Sequence, residues 1–243
     1  MNKLKYILGC ILFVCSCATD TDDNLMITLD SYTSNKTIEK GGVIACAASD
    51  KDTGEILTFY YPEEGATNIR FYETENAQVN HEEYSNYKQM FPKSDPFFNG
   101  YLGKFTQSST HEKWIIVTFE LDGEIKISNP IRSKHISKPT VWTDAVTIDQ
   151  SISGMPNFTW EANAIGGNAI YFQVISDAQD NLLSGTYTYD SHFQYYNTSN
   201  VVLNITTKTP PPLIQTEDYN FTLMDVSLDN WVNWVVLKSF EAQ

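Results

Sequence analysis

Apolar and polar residues alternate along most of this chain in short runs, a pattern typical of β-strands. After the N-terminal segment, we find no stretch of ten or more residues whose apolar positions repeat with the roughly 3.6-residue period of a helix. Runs of Val, Ile, Thr, Tyr and Phe are instead separated by clusters of Gly, Pro, Asn and Asp. The pattern therefore predicts an all-β protein.

The predicted strands fall into two groups, separated by a polar segment. In the first group they cover residues 26–32, 42–48, 56–61, 68–73, 114–121 and 124–128. In the second group they cover residues 142–148, 157–161, 169–176, 185–189, 200–206, 219–226 and 231–240. Seven strands in about 100 residues is the number expected of an immunoglobulin-like or fibronectin type III sandwich.

The clearest predicted hairpin covers residues 114–128. A two-residue loop would set Phe119 opposite Lys126 and mix apolar with charged side chains on both faces of the hairpin. A three-residue loop, residues 121–123, sets Phe119 opposite Ile125 and collects the apolar residues on one face. Because burial of one apolar face selects the register, we predict the three-residue loop.

Three segments of the second group resemble the fibronectin type III family. Residues 158–160 resemble its second strand, with Trp160 as the core tryptophan, and residues 170–174 resemble its third strand. Residues 213–223 resemble the corner into the sixth strand, in which a tyrosine hydroxyl, here that of Tyr219, bonds back to the chain. The resemblance implies a fold and says little about function.

The resulting organisation is two tandem β-sandwich domains of the immunoglobulin or fibronectin type III-like type. We predict domain 1 at residues 25–131, a linker at 132–139 and the fibronectin type III-like domain 2 at 140–243. The first domain matches this sandwich pattern less well than the second. The linker is basic, so it is either a docking site for an acidic partner or a segment that is solvated or rests against its own domains.

The first residues predict export and a lipid anchor. Two lysines precede an apolar run too short to span a membrane, which indicates a signal peptide at residues 1–16. Residues 14–17 resemble a bacterial lipobox, in which small residues precede a cysteine that becomes acylated. We assign the lipidation to Cys17 because the small Ser16 precedes it, whereas acylation at Cys15 would place bulky Val14 there.

The alternative to the lipobox is a plain secretory signal with incidental cysteines. After Cys17 the chain continues as an acidic tether, residues 17–24, which resembles the export stretch of Bacteroidota surface lipoproteins. The tether is also interpretable as a simple flexible spacer. The resemblance implies a protein of the outer membrane, held to its lipid by the anchor and exposed at the cell surface.

The composition of the chain excludes one class of partner and indicates that the chain folds. The 243 residues include 16 basic and 30 acidic side chains, for a formal charge of −14. Nucleic acids and anionic lipid surfaces require clustered Lys and Arg, so we expect no nucleic acid partner. Aromatic residues make up 13% of the chain, which is too many for a disordered protein.

The sequence contains no recognisable catalytic motif. The four histidines fit no metal or catalytic spacing, and we find neither a nucleophile turn nor a glycine-rich phosphate loop. Residues 50–55 begin like a calcium loop but lack its final carboxylate, so we interpret them as a turn, with a weak calcium site as the alternative. Cys46 lies in an apolar run and is predicted to be a buried, inert thiol. We expect no enzyme and no cofactor or metal.

The most unusual segment covers residues 84–105, where seven aromatic rings lie in a predicted long loop. Such rings either stack on the apolar faces of sugars and anchor partners, or plug the end of the sandwich and pack against domain 2. Phe97, Phe98 and Tyr101 are the candidate ligand-binding residues.

We therefore expect a lipid-anchored outer-membrane protein that captures a glycan or supports a surface uptake complex. The alternative is a structural adhesin or an accessory subunit of a surface, secretion or gliding complex, which would hold a surface protein as its partner.

Overall fold

The computed structural model describes residues 27–206 and 208–243, and their regular structure is almost entirely β. The prediction of an all-β protein is confirmed. The signal peptide, the tether and Cys17 lie outside the described residues, so their assignment stays a prediction.

The described part of the first half contains one short helix, a 3-10 turn at Tyr84–Asn86 and ten strands. In chain order these are α1 (Leu29–Thr33), β1 (Ile38–Val43), β2 (Ala45–Ser49), β3 (Ile56–Tyr60), β4 (Thr67–Glu73), β5 (Lys88–Met90), β6 (Lys93–Phe97), β7 (Leu102–Gln107), β8 (Trp114–Leu121), β9 (Glu124–Ser128) and β10 (Ile131–Arg132).

In the second half, the residues that the structure describes form nine strands. In chain order these are β11 (Val141–Thr143), β12 (Thr147–Asp149), β13 (Asn157–Thr159), β14 (Ile170–Asp177), β15 (Leu182–Thr188), β16 (His192–Gln194), β17 (Val201–Asn204), β18 (Asp218–Val226) and β19 (Val232–Glu241).

The two halves arrange their strands in the same way. Sheet A has the order β1-β9-β8-β4-β5, with β10 also paired to β8, and sheet C has the order β11-β19-β18-β14-β15-β17. Both begin with a strand parallel to its neighbour. The complementary sheets are sheet B, β2-β3-β7-β6, and sheet D, β12-β13-β16. Each half is thus an immunoglobulin-like or fibronectin type III-like sandwich, as predicted, whereas the residue boundaries of the domains stay a prediction.

Two residues on which the fibronectin type III resemblance rests, Trp160 and Tyr219, make well-defined contacts. Trp160 is buried in the core between sheets C and D, with its ring 5.3 Å from that of Tyr171. The Tyr219 hydroxyl accepts a hydrogen bond of 2.9 Å from the backbone N–H of Ile214, which fixes the corner before β18.

The four sheets form a continuous stack in the order A, B, C, D. Side chains of sheet B alternate between two cores: Ile56 and Tyr60 face sheet A, and Leu57 and Phe59 face sheet C. Sheet C alternates likewise between sheets B and D. The two sandwiches therefore share a hydrophobic core. Its members from sheet C are Phe172, Val174, Tyr187, Met224, Val226, Val232 and Val235.

The turn between β18 and β19 fastens the second half to the first. Trp231, which is fully buried, lies in the core between sheets A and B and donates its indole N–H to the Lys138 carbonyl at 2.8 Å. The Ala47 N–H donates to the Asn230 carbonyl at 3.0 Å. A side chain of one sandwich thus completes the core of the other.

The predicted register of the hairpin at residues 114–128 is wrong. The structure pairs Phe119 with Lys126 and closes the hairpin with the two-residue loop Asp122-Gly123, both in the left-handed region (φ 52° and 81°). Asp-Gly is a preferred sequence for such a turn. The prediction assumed one buried face, but Ile125 is also buried on the other face of sheet A. That face is covered by α1 and by the segment around the 3-10 turn.

Two other local predictions need correction. A strand was predicted at 26–32, but Leu29–Thr33 form the helix α1, because the Thr28 hydroxyl accepts the Ser31 N–H at 3.2 Å and caps the helix. Residues 84–105, predicted as a long loop, form β5, β6 and most of β7. Pairing of β6 with β7 brings Phe97, the last residue of β6, onto the edge of sheet B.

The basic segment at 132–139 rests against both sandwiches. Lys134 pairs with Asp229 at 2.6 Å, and the Lys138 ammonium donates to the Gly166 carbonyl at 2.6 Å. The segment is therefore held by its own chain, which agrees with the second interpretation given above.

Candidate functional site

An opening with a mainly apolar lining lies between sheets B and C, where the shared core reaches the surface. This cleft has a volume of about 400 Å³. Its wall from sheet B includes Leu57, Phe59, Phe97, Phe98 and Lys104. Its wall from sheet C comes mainly from β14, β18 and β19, with Trp142 of β11 at the side.

The sheet C wall changes from apolar to polar along its strands. The pairing registers place three residues side by side in each row, and alternate residues of each strand face the cleft. The successive rows are Phe172, Met224 and Val235, then Val174, Thr222 and Leu237, then Ser176, Asn220 and Ser239, and all of these except the core residues Phe172 and Val174 line the cleft. The inner end of this wall thus suits an apolar surface, and the outer row presents hydroxyl and amide groups.

Phe97 and Phe98, predicted from sequence, both line the cleft. The Phe97 ring is half-buried and lies 4.8 Å from the Phe59 ring and 4.3 Å from the Phe98 ring. Phe98 is buried and left-handed (φ 47°), which is unusual for a bulky residue. Its neighbour Asn99 donates to the Gln179 carbonyl at 2.7 Å, so the turn is held against the second half.

Tyr101, the third predicted residue, does not line the cleft. Its ring stacks on Tyr61 at 5.8 Å, and its hydroxyl donates to the Ile205 carbonyl at 2.6 Å. Tyr101 therefore joins the two sandwiches away from the opening. The structure brings Phe97 and Phe98 together at the cleft and separates Tyr101 from it.

Trp142 and the outer polar row were not found from sequence. Trp142 is half-buried, with its indole N–H donating to the Ser49 carbonyl at 2.9 Å, which fixes the ring beside the cleft. The Ser239 hydroxyl donates to the Asn220 side-chain oxygen at 2.6 Å. The polar row of Ser176, Asn220 and Ser239 forms because β14, β18 and β19 pair in this register. No local sequence pattern shows that pairing.

Ser176 has an unusual environment. It is fully buried in the lining of the cleft, and its hydroxyl lacks a hydrogen-bond partner within the described part of the chain. Buried polar groups usually have partners because leaving one unpaired costs about 1–3 kcal/mol.

The thiol of Cys46 lies in the same shared core but cannot serve as a nucleophile at neutral pH. Burial raises its pKa to about 12, so the thiol stays protonated. Within residues 27–206 and 208–243, we find no cluster of three or more His, Cys, Asp or Glu side chains arranged to hold a metal. Nor does that part of the chain contain a helix with the length and apolarity to cross a membrane.

No family model matches the chain, and a search of curated proteins finds no match. Solved structures give weak similarities. One, described as the structural basis of neurohormone perception by the receptor tyrosine kinase Torso, aligns with 85% of this chain and 76% of its own, at 10% identity and a TM-score of 0.27. Another, the chicken interferon gamma receptor alpha chain, aligns with 82% of this chain and 94% of its own, at 9% identity and a TM-score of 0.25.

Proposed function

We propose that the chain is a lipid-anchored protein of the outer membrane that captures a glycan at the cell surface, and that the cleft between sheets B and C is its binding site. The role is binding rather than catalysis. The anchor is the acyl group on Cys17, which attaches the chain to outer-membrane lipid.

The proposal rests on one observation, which is that part of the cleft lining is apolar and aromatic and another part is polar. Sugars have apolar C–H faces that stack on aromatic rings and hydroxyls that need hydrogen-bond partners. The ring of Phe97 is available on one wall, and that of Trp142 on the side. On the wall of sheet C, opposite Phe97, Asn220 and Ser239 offer amide and hydroxyl groups. The cleft therefore presents both kinds of surface that a glycan requires.

A glycan array with the whole chain in detergent tests this role, followed by titration calorimetry of the best hit. We expect Phe97→Ala and Trp142→Ala each to weaken binding at least about tenfold, because each removes a stacking surface. Phe91→Ala is the matched control, since Phe91 is 86% exposed and lies outside the cleft.

Thermal melting of each variant separates lost recognition from lost folding. A wild-type chain that binds no glycan, or cleft variants that bind as well as Phe91→Ala, would contradict glycan capture at this cleft. Absence of all glycan binding is the result expected of the alternative role as a structural adhesin or accessory subunit.

The anchor has its own test. Cys17→Ser is expected to leave the chain unprocessed or soluble, because acyl chains supply the membrane affinity at about 0.8 kcal/mol per buried CH₂. Detergent-phase partitioning measures the difference, with Cys15→Ser as the matched control that keeps the anchor. Unchanged partitioning of Cys17→Ser would refute the assignment.

A further inference from the structure

The charge of the cleft differs from that of the chain. Acidic residues outnumber basic ones by 30 to 16 in the sequence, whereas the lining contains Lys104 and Lys238 against Asp180 alone. The Lys238 ammonium is paired with Asp144 at 3.3 Å. Among the described residues, this leaves Lys104 as the cation that faces the cleft without a carboxylate partner.

The neighbouring carboxylates leave Lys104 without a salt bridge within the described residues. Asp95 lies opposite Lys104 in the pairing of β6 with β7, but the Asp95 carboxylate is bound to Lys93 at 3.0 Å. The salt bridges of the described residues do not include Lys104. Its ammonium lies 5.8 Å from the centre of the Phe97 ring, which places the charge beside the stacking surface of the cleft.

Asp50 is another carboxylate that interacts with Lys104, and its own turn occupies it. Its carboxylate accepts the backbone N–H groups of Thr53 and Asp52, each at 2.9 Å. The hydrogen bond from Thr53 is the main reason why the pKa of Asp50 is lowered, and the attraction to Lys104 is a smaller contribution. Asp50 attracts Lys104, but no salt bridge joins the two residues within the described part of the chain, so the Lys104 ammonium remains available to a ligand.

We propose that the cleft selects a saccharide with an anionic substituent, a carboxylate or a sulfate, and that the ammonium of Lys104 is its charge partner. This inference rests on the proposed glycan-binding function. A half-buried ammonium next to an aromatic ring is screened less than one in open water, so a bound anion is attracted more strongly there. Asp180 is exposed at the mouth and repels an anion, which orients the charged end of the saccharide toward Lys104.

Titration calorimetry with three matched oligosaccharides tests the inference on the whole chain in detergent. The probes are a galacturonic acid trisaccharide, a sulfated galactose trisaccharide and the neutral galactose trisaccharide. We expect at least one anionic probe to bind about tenfold more tightly than the neutral one, since a hydrogen bond to a charged group contributes more than one between neutral groups. The preference should decline as salt is added.

Single-residue variants test whether Lys104 causes the preference for the anionic trisaccharides. Lys104→Gln is expected to abolish the preference, measured as the ratio of the affinities for the anionic and neutral trisaccharides, and Lys104→Arg is expected to retain it. Lys88→Gln is the control, because it removes the same charge at an exposed position of β5, and it should retain the full preference.

The outcomes separate the two proposals. If the neutral trisaccharide binds as tightly as both anionic ones, the glycan-binding function stands and the role of Lys104 is refuted. The role of Lys104 is also refuted if Lys104→Gln keeps the preference. If none of the three probes nor any array glycan binds, both proposals fail together. Preference for the sulfated or the carboxylated probe alone supports the inference and identifies the anion.

Discussion

At the residue scale, the sequence found two aromatic side chains of the cleft, Phe97 and Phe98, but not Trp142 or the polar row. The unusual density of rings in residues 84–105 was enough to single out Phe97 and Phe98, which line the cleft, and Tyr101, which does not. Spacing alone does not distinguish the three. Tyr101 differs because its hydroxyl reaches the carbonyl of Ile205, 104 residues away, and that contact depends on how the sandwiches stack.

Asp225 is a residue whose importance only the structure shows. It is fully buried in sheet C, and one of its carboxylate oxygens accepts hydrogen bonds from the side chains of Asn168 at 3.1 Å and Asn233 at 3.4 Å. Its other oxygen has no partner among the described residues. Burial raises the pKa of Asp225 because the charged form is poorly solvated, although the two asparagines oppose the effect.

The raised pKa predicts a dependence of stability on pH. The native chain holds the Asp225 proton at pH values where the unfolded chain has released it, so stability falls as pH rises from about 4 through the raised pKa. Asp225→Asn removes this cost, and we expect the variant to melt above wild type at pH 7. The advantage should shrink as pH is lowered toward about 4.

Calorimetric melting across this pH range measures the effect, with Asp52→Asn as the control because Asp52 is exposed. An Asp225→Asn chain that melts below wild type at every pH would show that the charged carboxylate is needed by its neighbours.

At the element scale, the two strands of the hairpin at 114–128 were predictable and their register was not. The alternation of apolar and polar residues located both strands of the hairpin at 114–128. It is visible in the local sequence because successive side chains of a strand point to opposite faces of the sheet. The register failed because Thr118, on the outer face, is as fully buried as Phe119. Part of the cover on that face comes from α1, whose Leu29 belongs to the same core cluster as Ile116 of β8. These two residues are far apart in the sequence, so no local pattern records their contact.

Sheet C gave a signal that could have predicted its double burial. All of the residues from Tyr171 to Ser176 in β14 are buried, and their sequence is a nearly continuous apolar run rather than a strict alternation. Such a run is typical of a strand covered on both faces. It indicates that something covers the second face but does not identify sheet B as the cover.

At the scale of the whole molecule, the two sandwiches depend on each other. Sequence suggested two domains joined by a linker, which usually implies a polar and separable interface. The structure has instead an apolar core between sheets B and C, and Trp231 of the second half fills the core of the first. The linker prediction could not show this, because it describes how the chain passes between the halves and not which faces meet.

This shared core predicts that the second half does not behave as an independent domain. A fragment of residues 140–243 would expose the face of sheet C that contains Phe172, Val174 and Met224, and exposed apolar patches of several residues drive association. We expect the fragment to self-associate in sedimentation velocity and to melt well below the whole chain. Replacing Val174 and Met224 with Thr, which lowers the apolarity of that face, should reduce the association of the fragment, whereas the exposed-site change Leu228→Thr should leave it unchanged. A monomeric fragment that melts cooperatively at the temperature of the whole chain would contradict the dependence, because it would show that sheet C is stable without the cover of sheet B.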